Sequence, residues 1–412
     1  MNYQRDSRLF AAILIMMLLA LAGCSNGSNI VIMENSAASN GGASPVVQQT
    51  LPKGLFKSNY PVIDWVFNRT CNLAVNSYNS SPMNATLAYD SAAWVYPDDG
   101  HLIDGTQDCD QNALLQQARN LGLPTLLTVG IDGSWSTQDA ARYIDRASSQ
   151  LQVPCTAGAT TYICNIVNWA LTGGYTGVII DFELVQWNYP GIQTKFGAFM
   201  QKLQNALHQK GLLCGIALIP KVSDNAAEDP MYKLDNFEDW KLLSSLDFLI
   251  DMVLNVDLQA GKPGPITSVP WIEKQVDYIW QTMPQAMSKF IFEFPLYGRE
   301  WQEDASGNWK IVNDETTCQQ VSVQKANQNL LTNVSKDPTA PEIAWNDSNG
   351  NRHEVWYSNA SSLVAIMTRV QDKVRGMLQN PRYKLPTSFW YRGAECANFF
   401  GAGNALKAFY NS

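Results

Sequence analysis

A β-branched run that ends in carboxylates constrains this chain more than any other stretch: Thr176-Gly-Val-Ile-Ile-Asp-Phe-Glu-Leu184. Gly173, Gly174 and Tyr175 punctuate its start, so the run reads as a buried strand. Alternate side chains of a strand share a face. Ile179, Asp181 and Glu183 therefore point one way, while Val178, Ile180 and Phe182 point the other. Two carboxylates at i and i+2 on an apolar strand are costly to bury without a use. Their repulsion and partial desolvation push the two pKa values apart and leave one group protonated near neutral pH. A general acid beside a charged neighbour needs that arrangement. Taken alone, the pair favours a strand end dipping into water with both carboxylates solvated, so the rest of the chain has to decide.

Seven further runs read as strands, within Pro61–Phe67, Ala88–Tyr96, Leu123–Gly130, Leu212–Pro220, Phe248–Asn255, Phe290–Pro295 and Pro386–Trp390. Helical periodicity falls between them, over Asn112–Leu121, Thr137–Ser149, Ile166–Leu171, Thr194–Lys210, Ile272–Met283 and Leu363–Met377. Strands alternating with helices at this spacing predict parallel βα units, and 412 residues accommodate a (β/α)8 TIM barrel with an insertion. The excess sits between strands seven and eight, about residues 299–357, and contains the turn-like Asn346-Asp-Ser-Asn-Gly350. With 46% hydrophobic and 16% charged residues the chain is globular. An excess of 37 acidic over 29 basic residues argues against a nucleic-acid partner. Thirteen Trp and sixteen Tyr suit sugar binding, because pyranose C–H faces stack on rings, although most will be core.

The N-terminus reads as a processing signal. Arg5 and Arg8 precede an apolar run from Leu9 to Ala22, and Leu21-Ala22-Gly23-Cys24 resembles the bacterial lipobox. Residues 1–23 are then a lipoprotein signal peptide, 24–50 a flexible Ser/Asn/Gly-rich tether, and 51–412 the barrel domain. A plain transmembrane anchor is the alternative, disfavoured by the short apolar core. Lipidated at Cys24, the protein is expected on the extracytoplasmic side of a bacterial envelope membrane, and on the outer membrane in a double-membraned cell, since Ser25 is not acidic. Seven cysteines remain, an odd count that leaves a thiol unpaired in an oxidising compartment. Cys214, in an apolar run, is the expected free thiol, and Cys155 and Cys164 flank a loop that they are able to close. Three scattered His and no Cys-x-x-Cys give no basis for a metal site, and no cofactor is expected.

The carboxylate-bearing strand resembles the fourth-strand signature of glycoside hydrolase family 18, Asp-Gly-x-Asp-x-Asp-x-Glu. Gly177, Asp181 and Glu183 match it, while Thr176 and Ile179 stand where the first two Asp belong. Ala217-Leu-Ile-Pro-Lys221, Lys262-Pro-Gly-Pro265, Phe294-Pro-Leu-Tyr-Gly298, Trp301, His353-Glu-Val-Trp356 and Ser388-Phe-Trp390 look like landmarks of the branch acting on spore or cell-wall peptidoglycan. The resemblance implies a retaining, substrate-assisted glycosidase that cleaves β-linkages beside N-acetylated aminosugars, in peptidoglycan or chitin-like glycans. Glu183 corresponds to its general acid/base, and Asp181 to the residue that orients the 2-acetamido group and stabilises the oxazolinium-like intermediate. Trp390 corresponds to the floor under the sugar, Tyr297 to a tyrosine at the cleft edge, and Asn255 to an aspartate of the sixth strand. Two departures stand out: Ile179 removes the middle carboxylate, and in Met252-Val-Leu-Asn255, Leu254 replaces a tyrosine. A weakened, glycan-binding lipoprotein on the same barrel is the second reading, and a surface scaffold the third. A monomer is expected.

Cys24→Ala should abolish metabolic labelling with palmitate and move the protein out of the membrane fraction. Labelling that persists in the variant would refute the lipobox assignment.

Overall fold

A computed structural model describes residues 49–412 other than 58–60, 67–84, 106–110, 132–135, 151–153, 157–158, 184–188, 226, 230–236, 333 and 401–403. The expected signal peptide, Cys24 and nearly all of the expected tether lie outside the described residues, as do Cys71 and Cys109. No helix among the described residues is long and apolar enough to cross a membrane.

Eight parallel strands close into a barrel: β1 (Val62–Val66), β2 (Thr86–Val95), β4 (Thr125–Ile131), β5 (Gly177–Asp181), β6 (Leu213–Leu218), β7 (Phe248–Asp251), β8 (Phe290–Pro295) and β13 (Thr387–Trp390). β1 pairs with β2 on one side and with β13 on the other, which completes the ring. Helices follow on the outside: α1 (Gln111–Asn120), α2 (Thr137–Ser149), α3 (Tyr162–Gly173), α4 (Ile192–His208), short α5 (Trp240–Leu243) and α6 (Val256–Ala260), then α7 (Val269–Thr282). The expected (β/α)8 architecture is thus the observed one. Between β8 and β13 comes the expected α+β insertion, an antiparallel sheet of β9 (Gly298–Glu303), β10 (Trp309–Thr316), β11 (Glu342–Asn346) and β12 (Arg352–Tyr357) with helix α8 (Cys318–Asn327). Helices α9 (Ala360–Leu378) and α10 (Ala405–Asn411) complete the chain.

Alternation along the strands sorts the two layers. Phe182 packs on Tyr143 of α2 and on Phe196 and Phe199 of α4, so the Val178–Ile180–Phe182 side faces the helices. Ile179 and Asp181 face inward, in register with Thr128 and Gly130 of β4. A tight interior explains Gly215, the inward residue opposite Ile179 on β6: a Cβ there would lie 2.1 Å from the Phe248 ring. Across the barrel, the Trp65 indole donates to the Ser388 hydroxyl (2.7 Å), which donates to Glu293 (2.9 Å). The seam between first and last strands carries an ion pair on the outer side. Arg392 contacts Asp64 at 2.9 Å with both fully buried, and its guanidinium lies 4.0 Å from the Phe400 ring centroid.

Several sequence expectations shift for local reasons. α3 starts at Tyr162, four residues before the expected Ile166, because the Thr161 hydroxyl caps it by accepting the Cys164 N–H. The seventh strand of the chain, β7, stops at Asp251 and does not reach Asn255, whose φ of 67° is left-handed and incompatible with a strand. Ordered contacts begin before Leu51, since Gln49 donates its backbone N–H to Gln285 and accepts from Lys289. Cys155 and Cys164 form a disulfide, Cys214 is a buried free thiol, and a second bridge, Cys318–Cys396, ties α8 to the segment after β13. Strand β3 (Leu102–Asp104), antiparallel to the end of β2, was not expected.

Arg392→Met takes the guanidinium away from the buried Asp64 carboxylate, and should cost about 3–5 kcal/mol in urea unfolding. Adding Asp64→Leu should recover most of that loss; a double variant no more stable than Arg392→Met would show that the seam depends on packing instead of the charge pair.

Candidate active site

The strand ends deliver the chemistry. Asp181 is the last residue of β5 and is half-buried; Glu183 lies two residues on, past the end of the strand, with its side chain exposed. Water reaches Glu183, yet the protein packed around the carboxyl strips enough solvation to push its pKa above the ordinary 4.5. The shift has the direction that the carboxylate pair predicted from sequence, and it favours the protonated acid at higher pH than a free glutamic acid. Beneath Asp181 on the same inward face, Ile179 is fully buried and offers no polar atom.

Trp390 closes β13 at the same end of the barrel. It is half-buried, packs edge-on against Trp65 (centroids 5.5 Å apart) and against Tyr391 (5.9 Å), and precedes a cis peptide bond to Tyr391. Trp65 in turn is anchored by Ser388, so the tryptophan rests on a fixed support and keeps part of its ring accessible.

Tyr297 and Asn255 are brought together. The Tyr297 hydroxyl donates to Asn255 Oδ1 at 2.7 Å, and Arg299 Nη2 donates to the same oxygen at 2.8 Å. A guanidinium only donates, so the amide oxygen must face it, and both lone pairs of that oxygen are used within the protein. Arg299 also grips Asp257 through Nη1 (2.6 Å to Oδ2) and Asp314 through Nε (2.6 Å). Burial alone would lower the Arg299 pKa, but Asp257, Tyr297 and Asp314 outweigh it and hold the guanidinium charged. Tyr297 is itself buried, stacks 6.4 Å from Tyr391, and is pushed up by burial, so it stays a phenol donor. The network joins the loop after β7, the end of β8 and the first two strands of the insertion. Sequence reading missed Arg299 and Asp257; the signal available was a charged residue two positions after each singled-out residue, in Asn255-Val-Asp257 and Tyr297-Gly-Arg299.

Lys221 and His353 sit apart from the carboxylates in bonding terms. Lys221 is buried and donates to the Glu238 carbonyl (2.9 Å). His353 lies in the insertion sheet, stacked on Trp345, with Nδ1 2.8 Å from Glu300 and Nε2 3.0 Å from the Gln302 amide. Leu254 is buried, so the loop before Asn255 presents no hydroxyl where the resemblance implies one.

Tyr297→Phe removes one of two donors to Asn255 and should lower stability by about 1 kcal/mol in urea unfolding. Asn255→Leu strands a phenol and a guanidinium at once and should cost at least twice as much. Equal losses would mean that the amide is not the hub of the network.

Comparison with known proteins agrees with this geometry. Residues 70–377 match the family described as Glycosyl hydrolases family 18. The cortical fragment-lytic enzyme of Bacillus subtilis (strain 168) is 23% identical over 225 residues, 54% of this chain and 49% of that protein. The chain thus spans about half the length of the curated relatives it matches. Among solved structures, a chitinase from Chromobacterium violaceum ATCC 12472 superposes with a TM-score of 0.66 at 22% identity, covering 86% of this chain and 99% of that one. The Bacillus megaterium QM B1551 spore cortex-lytic enzyme SleL gives a TM-score of 0.62 at 20% identity, with 85% and 74% covered. At these identities the structures speak for the fold, and the match over residues 70–377 speaks for the family: the chain belongs to glycosyl hydrolase family 18.

Proposed function

We propose that this protein hydrolyses β-linkages beside N-acetylated aminosugars, in peptidoglycan or chitin-like glycans, by a retaining and substrate-assisted route. The observation that carries the reading is the carboxylate pair at the mouth of a family 18 barrel, with Asp181 closing β5 and Glu183 two residues beyond it. Protonated Glu183 gives its proton to the glycosidic oxygen as the bond to the anomeric carbon breaks. The carbonyl oxygen of the substrate's own 2-acetamido group attacks that carbon from the opposite face, so the protein needs no nucleophile. Asp181 holds the acetamide N–H and stabilises the positive charge of the resulting oxazolinium-like ring. Glu183, now a carboxylate, takes a proton from water as the water opens that ring, which restores both the acid and the configuration. Trp390, braced on Trp65, supplies the apolar floor under the sugar.

The departures at Ile179 and Leu254 favour a second reading, a glycan-binding protein with weakened chemistry. Losing one polar contact of this kind is worth about 10²–10³ in rate. The names of relatives, among them a chitinase and a cortex-lytic enzyme, support the enzyme reading and the substrate class. Membrane attachment through a lipid on Cys24 completes the proposal and rests on the Leu21-Ala22-Gly23-Cys24 signal.

Glu183→Gln keeps the shape of the site but carries no transferable proton, so hydrolysis of chitooligosaccharides or purified peptidoglycan should fall about 10²–10⁴-fold. The alkaline limb of the native kcat/KM profile should lie above pH 4.5, since the acid must be protonated for the first step. The linkage has a definite sign. A folded-state pKa raised above the unfolded value makes ionised Glu183 a cost to folding that grows as pH rises from 4.5 to the raised value. The Gln variant should therefore melt at the same temperature as the native protein below that window and at a higher one above it. Native hydrolysis undiminished in the variant would exclude Glu183 as the acid; binding without any hydrolysis by the native protein would select the second reading.

A further inference from the structure

The end of β2 carries aromatic residues that the proposed chemistry does not use. Register places Trp94 opposite Gly130 of β4, and Gly130 opposite Asp181 of β5. These three residues form one inward-facing layer, with a glycine between the tryptophan and the carboxylate strand. At this layer the end of β2 is paired with β4 on one side and, on the other, with β3, into which the chain turns back after Val95. Alternation then sets Tyr96 on the same face as Trp94, with Ile103 paired to Trp94 and His101 bonded across from Tyr96 (Tyr96 N–H to the His101 carbonyl, 2.9 Å). The opposite face is used up: Ala93 and Val95 are buried, and the turn is fastened to the helix layer. There Tyr162 donates to the Asp98 carbonyl at 2.7 Å and Asn165 to the Gly100 carbonyl at 2.8 Å.

What this leaves is an outward platform with fixed rings. Tyr96 is 45% exposed and stacks on the His101 imidazole, with centroids 4.3 Å apart and planes 17° from parallel. His101 is held from below by Asp99, which accepts from its backbone N–H (3.1 Å) and lies 2.6 Å from Nδ1. One face of the Tyr96 ring is therefore covered and its orientation set, while the other is open to solvent. An aromatic face whose orientation is already set stacks on a pyranose ring at low entropic cost.

We propose that the β2–β3 hairpin is a glycan-binding rim, where Tyr96, backed by His101, stacks on a sugar remote from the bond at Glu183. The inference rests on the glycosidase reading and deepens it, because the occupant is the same N-acetylated chain continuing out of the cleft. Continuity supports that choice: the strip runs from the Asp181 layer through Trp94 to Tyr96 without leaving one face of β2. Two strand spacings sideways and two residues along put Tyr96 on the order of 12 Å from Asp181. A short oligosaccharide centred on Glu183 does not fill that distance, and a long one does. The rim therefore selects for chain length.

Calorimetry on the Glu183→Gln background tests this without turnover. Adding Tyr96→Ala should weaken chitohexaose binding roughly tenfold while moving chitobiose by less than about twofold. His101→Ala, which only unbacks the ring, should give a smaller loss in the same direction. Equal losses for both oligomers, or none for the hexamer, would overturn the rim and leave the glycosidase reading standing. If the Glu183→Gln protein binds neither oligomer, the glycosidase reading and the rim fall together. Circular dichroism of each variant guards against a folding defect being read as lost binding.

Discussion

Closure of the parallel sheet is the constraint on which everything else depends. β1 has hydrogen-bonded neighbours on both sides, so no strand is an edge among the eight, and each residue faces either the helices or the interior. That binary choice turns a two-residue period into a map of the molecule. On β5 it sends Ile180 and Phe182 into the helix layer and Ile179 and Asp181 inward, and it delivers Glu183 to the mouth when the strand ends. Closure also has to be held where first and last strands meet. The buried Asp64–Arg392 pair lies at that seam, with Phe400 covering the guanidinium and the backbone of Arg392 donating to the Trp65 carbonyl at 2.9 Å. Trp65 continues inward to Ser388 and outward to Trp390, so the floor of the candidate site is mechanically part of the seam.

The insertion is fastened to the barrel in two different ways. One is covalent, through Cys318–Cys396, and links α8 to the chain just after β13. The other is the buried Arg299 hub, whose partners come from the N-terminus of α6 (Asn255 and Asp257) and from β10 (Asp314). A guanidinium with carboxylates on two sides and an amide on the third has a partner at each nitrogen, which offsets the cost of burying the charge. The same hub holds the left-handed Asn255 at the start of α6 and orients the Tyr297 hydroxyl. Loop, strand end and insertion are thus positioned by one side chain.

Legibility of the fold followed burial. Phe290–Pro295 is a strand between the very residues the apolar run marks, and Thr137–Ser149 a helix between the residues its periodicity marks. Both segments have a single strong pattern and nothing competing with it. α3 was read too short because its first turn is held by the Thr161 hydroxyl and the Cys155–Cys164 bridge, neither of which leaves an apolar period. β3 escaped because three residues, two of them exposed, carry no alternation to detect. In the site, the carboxylates were legible since two charges on an apolar strand are anomalous in any fold. Arg299 and Asp257 were not, because a buried ion pair is a relation between distant positions and each partner alone looks like surface. Asn255 and Tyr297 were found separately; their hydrogen bond came only with the structure.

Ile179 shows how far the site has moved from the signature it resembles. Its inward position sits in register with Thr128 on one side and Gly215 on the other, all inside the barrel. The Thr128 hydroxyl is fully buried there and has no hydrogen-bond partner among the described residues. An unmatched buried hydroxyl costs about 1–3 kcal/mol, and an apolar neighbour does nothing to offset that. A carboxyl at position 179, where the signature has one, would face that hydroxyl across adjacent strands. The chain therefore keeps half of a polar pair and has replaced the other half with a hydrocarbon. What it gains is a dry layer under Asp181, so no second titrating group at position 179 shares a proton with it.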